Sequence, residues 1–464
     1  MGNDFLFVEG FQPNRANKRL IRSHAMKGKN VGKILHRPSK LKNSSRRGLR
    51  ERSPPLNSSA VTRYDAQEAR QHVTTIPRNH GDAFLTCGFS LELAPSSVEV
   101  INKFFIHIIE RVYPTRLGLS PVEAKYVWLR CMFTDETGQP VASRCSIALM
   151  DACNEFFLGG NPNSLRGLHY LSQALTLVNE RLQGEKALSD STLSLVISLV
   201  LQEELRNELP GAKIHYEGLR QMVKLRGGLH ELAGNRPLLL KVCKMDICYA
   251  LHHGGPLLYF RDRKPPDILP AHRIRAAATI PHPGLELDLF EILLDVVSFV
   301  APLNEFPDLP VYDMHTFQEV MNSICCRLLL FQPLKGPWLC SHQAATYHIG
   351  LTIFMMTLFL QHDGRRIWHY PIVSHRFRDV VSYKVPGSDG NDYAYDSLNL
   401  WAMLIGGIWV LPDDDGYWLQ PKLQALSRRL EIKDFDGVLD RINNLPWINA
   451  LHDGPARAIW EMVQ

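Results

Sequence analysis

The sequence predicts an all-α protein, a multi-helix bundle of antiparallel helical hairpins with a basic N-terminal arm. Three observations carry this. From about residue 95, apolar residues recur every three or four positions, the spacing of one helix face, over segments of roughly ten to twenty residues. Short polar or glycine–proline loops separate those segments, and strand-like alternation is weak and isolated. Charge is also segregated. Residues 1–52 hold fourteen Lys/Arg against three acids, net +11, and the 464-residue chain is +5, which leaves −6 for residues 53–464.

Phe5-Leu6-Phe7-Val8 is a short apolar patch suited to pairing as a strand or to docking. Residues 14–33 suit a helix, with Ala16, Leu20, Ile21 and Ala25 as a thin apolar stripe. Lys18, Arg19, Arg22, Lys27, Lys29 and Lys33 surround that stripe, and so basic a helix is marginal without a partner. Residues 36–60 have too few apolar groups to offset chain entropy. The expected organisation is therefore an apolar patch and basic helix over 1–35, a disordered basic and polar linker over 36–84, and an all-helical body over 85–464.

Within the body, Ser97 is placed to cap a helix over 98–112 that Tyr113-Pro114 stops. Pro121 opens a second helix reaching Phe133, and a third covers 143–158, ending at Gly159-Gly160. Leu165, Leu168, Leu171, Leu175, Val178 and Leu182 form one face of the next. Asp190 is placed to cap 193–201, which is apolar nearly all round and so packs on several sides. A helix over 212–226 stops at Gly227-Gly228, where glycine takes a left-handed cap without penalty. Further helices are expected near 237–252, 285–301, 313–331, 338–361, 393–410, 417–430, 434–443 and 454–463.

The nine cysteines are scattered and include no C-x-x-C pair, so they read as buried reduced thiols rather than a zinc or redox motif. The longest uncharged apolar run, 349–360, has twelve residues. A bilayer needs about twenty, so no membrane partner is expected. His252-His253-Gly254-Gly255 lacks the G-x-S-x-G that an esterase oxyanion loop requires, and reads as a helix end. Asp413-Asp414-Asp415-Gly416 lacks the alternating carboxylates and distal glutamate of a calcium loop. No zinc-hydrolase, P-loop or dinucleotide motif occurs, and no nucleophile has an evident base, so neither cofactor nor catalytic residue is assigned.

The arm is the chemistry that remains. Lys18, Arg19, Arg22, Lys27, Lys29 and Lys33 are candidate phosphate contacts, giving non-specific DNA binding with a steep salt dependence. The extended cluster Lys40, Lys42, Arg46, Arg47, Arg50 and Arg52 suits an import-receptor groove and a nuclear location.

The stretch His215-Tyr216-Glu217-Gly218-Leu219-Arg220-Gln221-Met222-Val223-Lys224-Leu225-Arg226-Gly227-Gly228-Leu229 resembles the H-x-x-G-L-x-x-M-V-x-x-R-G-G-L signature of fungal-specific transcription factor regulatory domains. Residues 174–182 and Ser189-Asp190-Ser191-Thr192 resemble the two preceding helices, and Asp246 the aspartate of the next one. Leu445-Pro446-Trp447-Ile448, His452-Asp453 and Trp460 are similar to the closing P-W…H-D…W pattern. Phe5-Leu6-Phe7-Val8 with 21–27 is similar to the opening of a branch that often lacks a DNA-binding module, and the six-cysteine zinc cluster of full members is absent here. The resemblance implies a helical regulatory domain in a nuclear transcriptional regulator. Its partners would be transcriptional machinery or other regulators, a small effector, and a second copy as homodimer. It also implies that His215, Gly218, Arg226, Gly227, Gly228, Asp246 and Trp447 are architectural. The alternatives are an interaction scaffold without DNA binding and a helical enzyme, the latter expected to show ionisable groups converging in a buried pocket.

Overall fold

In the computed structural model the described residues are 94–105, 117, 132–133, 143–158, 164–260, 270–280, 284–307, 309, 311–359, 370–382, 393–409 and 416–462. All belong to one contact-dense unit. The arm residues Lys18 to Arg52, the boundaries at 35 and 84, and Asp413 to Asp415 lie outside them. So does nearly all of the helix expected to open at Pro121.

The described residues are all-helical, with no strand among them, and form fifteen α-helices. These are α1 (Pro95–Phe104), α2 (Ser143–Leu158), α3 (Leu165–Leu182), α4 (Asp190–Leu205), α5 (Leu209–Arg226), α6 (Arg236–His253), α7 (Pro270–Thr279) and α8 (Leu287–Glu305). Then come α9 (Met314–Phe331), α10 (His342–Phe359), α11 (Pro371–Ser382), α12 (Tyr393–Trp409), α13 (Gly416–Arg429), α14 (Phe435–Ile442) and α15 (Asn449–Glu461).

Local chemistry sets many of the ends. Ser164, Asn235, Asp313 and Asp434 each accept a backbone N–H in the first turn of α3, α6, α9 and α14, which satisfies donors a bare helix start leaves open. Gly227 (φ 114°) and Gly254 (φ 62°) stop α5 and α6 in the left-handed region. Sequence neighbours pack side by side: α1 on α2, α2 on α3, α4 on α5, α7 on α8, α8 on α9 and α9 on α10. Long-range packing joins α10 to α12, α6 to α9 and α11, and α12 to α14 and α15. The core is centred on α6, α10 and α12, whose side chains are buried on most faces. At Gly350 of α10 a Cβ would overlap the Trp401 ring of α12, so this close crossing requires glycine.

Several expectations need correction. Ser97 does not cap α1; Pro95 starts it, two residues earlier than Ser97, because a proline at the first turn loses no hydrogen bond. Asp190 does not cap α4. Ser189 does, accepting from Thr192 N at 3.4 Å, which frees the Asp190 carboxylate for long-range pairing. Leu165 of the expected apolar face is 74 % exposed, and the buried stripe of α3 is Gly167, Leu171, Ala174 and Val178. The helix expected near 285–301 continues through Pro302 to Glu305. The one expected at 454–463 begins at Asn449 with Pro455 in its interior. Helices α7 and α11 were not expected at all. Of the cysteines, 145, 153, 243, 248, 325 and 326 are buried and in no disulfide, Cys340 is half-buried and in no disulfide, and 87 and 131 lie outside the described residues. No described helix is long and apolar enough to cross a membrane.

Candidate functional site

Helices α4, α5 and α6 meet around two buried aspartates. Asp190, at the start of α4, pairs through Oδ1 with the Arg226 guanidinium from the last turn of α5. Its Oδ2 accepts from Asn235 Nδ2 at 2.8 Å, the residue that caps α6. Arg226 Nη1 also donates to Leu188 O at 3.2 Å. One carboxylate therefore ties three helix ends together. Arg181 of α3 adds bonds to Ser189, Ser191 and Thr192, which fixes the same corner.

Asp246, in the middle of α6 and 1 % exposed, works in both directions. Its Oδ1 accepts the Tyr216 hydroxyl of α5, and its Oδ2 accepts Leu258 N at 2.7 Å and Tyr259 N at 2.8 Å. The last two hold down residues 254–260, a strap without regular secondary structure that begins at the left-handed Gly254. Burial and the neighbouring Asp246 charge push the Tyr259 phenol up to about 12. The strap shows Leu258 and Phe260 outward and turns Tyr259 inward, with its hydroxyl 3.4 Å from Arg220 O.

A small cavity lies on each side of this latch. The first, about 300 Å³ with the open solvent outside it included and room within for only a water or two, lies between α6 and α9 and is lined by Leu240, Cys243, Asn322, Ser323, Cys326 and Glu319, with Tyr259 of the strap. The second, about 230 Å³, is a slot where Glu204 of α4, Tyr216 of α5 and Tyr249, His252 and His253 of α6 converge, with Lys213 on its rim. Tyr216 and Tyr249 stack at 4.1 Å, and His252 stacks on Tyr370 at 4.2 Å. Burial raises Glu204 to about 7, opposed by Lys244, and lowers His252 to about 4. Neither His252 ring nitrogen has a hydrogen-bond partner. A carboxyl poised near neutrality is what proton transfer uses, yet the slot admits roughly one water. Among the described residues no group of three or more His, Cys, Asp or Glu is placed to hold a metal ion.

The residues singled out from sequence are thus distributed as follows. Arg226, Gly227 and Gly228 end α5, Asp246 is the latch, Gly218 is buried on α5 and His215 is half-buried there. Trp447 belongs to a separate clasp. Its indole donates to Asp453 Oδ1 at 2.7 Å, while its backbone carbonyl accepts Asn304 Nδ2 at 2.7 Å. Trp401 of α12 donates to Pro446 O at 2.8 Å beside it. The lining residues Asn322, Ser323 and Tyr259 were not anticipated, nor were Glu204 and His252 as a pair. Compared with known proteins, the chain matches no family model, no curated protein and no solved structure.

Proposed function

We propose that this chain is a transcription-factor-like regulator of the fungal-specific type, acting in the nucleus through protein contacts of its helical body. On this reading the helices pair as antiparallel hairpins, and the basic arm of residues 15–52 supplies nuclear entry and a sequence-independent hold on phosphate backbones. Binding a partner or effector at one helix face can reach others only if helix ends are mechanically joined. The observation that carries the proposal is that joining. Arg226 and Asp246 of the motif are spent on locking α4, α5, α6 and the strap to one another, and Trp447 on locking the chain's last helix to α8.

Two measurements test it. A reporter fused to residues 1–60 should concentrate in nuclei, and reversal of charge at Lys40, Lys42, Arg46 and Arg47 should abolish that. Tethering residues 85–464 to a promoter through a foreign DNA-binding domain should change transcription. An unchanged promoter would leave a scaffold, and a uniform cytoplasmic signal for the full chain would remove the nuclear role. Duplex DNA should shift at low salt, with affinity falling about 10³–10⁵-fold between 50 and 200 mM salt if six to ten phosphates are contacted.

A further inference from the structure

We propose that the cavity beneath the strap, between α6 and α9, is a binding site for a compact apolar molecule carrying one hydroxyl, such as a small alcohol or phenol. The inference rests on the regulator reading and names the chemical class of its effector. Two buried polar groups point to a ligand. Ser323 Oγ, on a residue 3 % exposed, has no hydrogen-bond partner, and Asn322 Oδ1, on a residue 6 % exposed, has none either. Asn322 Nδ2 is committed to Leu240 O at 2.9 Å, which fixes the amide and leaves its oxygen as a spare acceptor on a residue that lines the cavity. Buried polar atoms are rarely left unsatisfied, and a hydroxyl suits this pair. It can donate to Asn322 Oδ1 while accepting from the Ser323 hydroxyl. Leu240, Cys243 and Cys326 offer the guest's remaining atoms an apolar wall. A few placed polar groups in an otherwise apolar concavity is the usual make-up of a small-molecule site.

The way in follows from exposure. Every lining residue on α6 and α9 is buried, and Tyr259 of the strap is the half-buried exception. As it stands the space suits a water or two. A ring-sized guest enters by displacing Tyr259, whose hydroxyl is held by a single long bond of 3.4 Å. The strap is thereby coupled to occupancy, and through Asp246 to Tyr216 and α5.

Phenol is the probe, titrated into the full chain by calorimetry, with toluene as the isosteric control. Phenol should bind saturably at one site, with toluene about tenfold weaker. Ser323→Ala should weaken phenol about five- to tenfold, the loss expected for one buried hydrogen bond. Amide exchange in the wild-type chain supplies a readout independent of any variant: phenol should change protection at Leu258 and Tyr259 selectively. Absence of saturation, equal affinity for phenol and toluene, or an unaltered Ser323→Ala affinity would each overturn the site. None of these outcomes alters the promoter-tethering result, so the effector site and the regulator reading fail separately.

Discussion

His452 shows how much one side chain can decide. It is fully buried, and its Nδ1 accepts from Ile448 N at 2.9 Å, so that nitrogen carries no proton. Thr357 Oγ1 already donates to Phe354 O at 2.6 Å, which leaves it to accept from His452 Nε2 at 3.2 Å. The ring is therefore the neutral Nε2–H tautomer, assigned from its partners. It caps α15 from four residues downstream and bolts it to α10. Burial pushes its basicity down to about 3. An asparagine at 452 can place an oxygen where Nδ1 stands, whereas leucine offers neither bond. His452→Leu should then cost about 2–4 kcal/mol, the sum of a lost cap and an orphaned buried hydroxyl acceptor, and His452→Asn about 1 kcal/mol less. Urea midpoints at equal m-values measure this, and equal losses for the two variants would show that packing alone matters there.

The strap is the element that most depends on a single group. Its backbone donors at 258 and 259 reach only Asp246, so Asp246→Ala, which removes their acceptor, should loosen residues 254–260 while α6 stays helical. Hydrogen exchange at Leu258 and Tyr259 should accelerate by about tenfold or more, with a stability loss of about 2–3 kcal/mol. Unchanged exchange would mean that the strap is held by its side chains instead. The same contrast explains which elements could be read from the chain. Helices introduced by Ser164, Asn235, Asp313 or Asp434 and stopped by Gly227 or Gly254 carry their signals within a few residues. Helix α15 does not, because its cap is a histidine inside the helix and Pro455 suggests a later start. Helices α7 and α11 are short, begin at prolines and carry several charged residues among few apolar ones, although Val373, Phe377 and Val380 of α11 keep a helical spacing. At the candidate site Asp246 was singled out only by the resemblance, and nothing in its local spacing announced the strap it holds. Asn322 and Ser323 lie some eighty residues away from Leu240 and were invisible to any local spacing.

Across the whole molecule, buried ionisable groups of opposite tendency set how stability follows pH. His252, His348 and His452 are held neutral by burial, at about 4, 4 and 3 against an ordinary 6.5. Unfolding lets them bind protons, so their contribution is complete above pH 6.5 and is lost as pH falls below it. Glu203 and Glu204 run the other way. Burial raises each to about 7 from 4.5, outweighing Arg206 beside Glu203 and Lys244 near Glu204. The native state keeps their protons longer than the unfolded chain does, so stability is lost as pH rises from 4.5 through 7. Near pH 5.5 the unfolded histidines take up almost three protons while the native glutamates retain almost two. The difference, somewhat under one proton, makes stability rise with pH there by about 1 kcal/mol per pH unit. Near pH 6.5 the two sets cancel, and above it the glutamates dominate. These five groups therefore place a stability maximum close to pH 6.5. Denaturant midpoints at pH 5, 6.5 and 8 should describe that arch. Replacing Glu204 with Gln should raise the pH 8 value and move the maximum upward. A midpoint that climbs steadily through pH 8 in the unaltered chain would mean that the glutamates are solvated, and that the slot between α4, α5 and α6 is open to water.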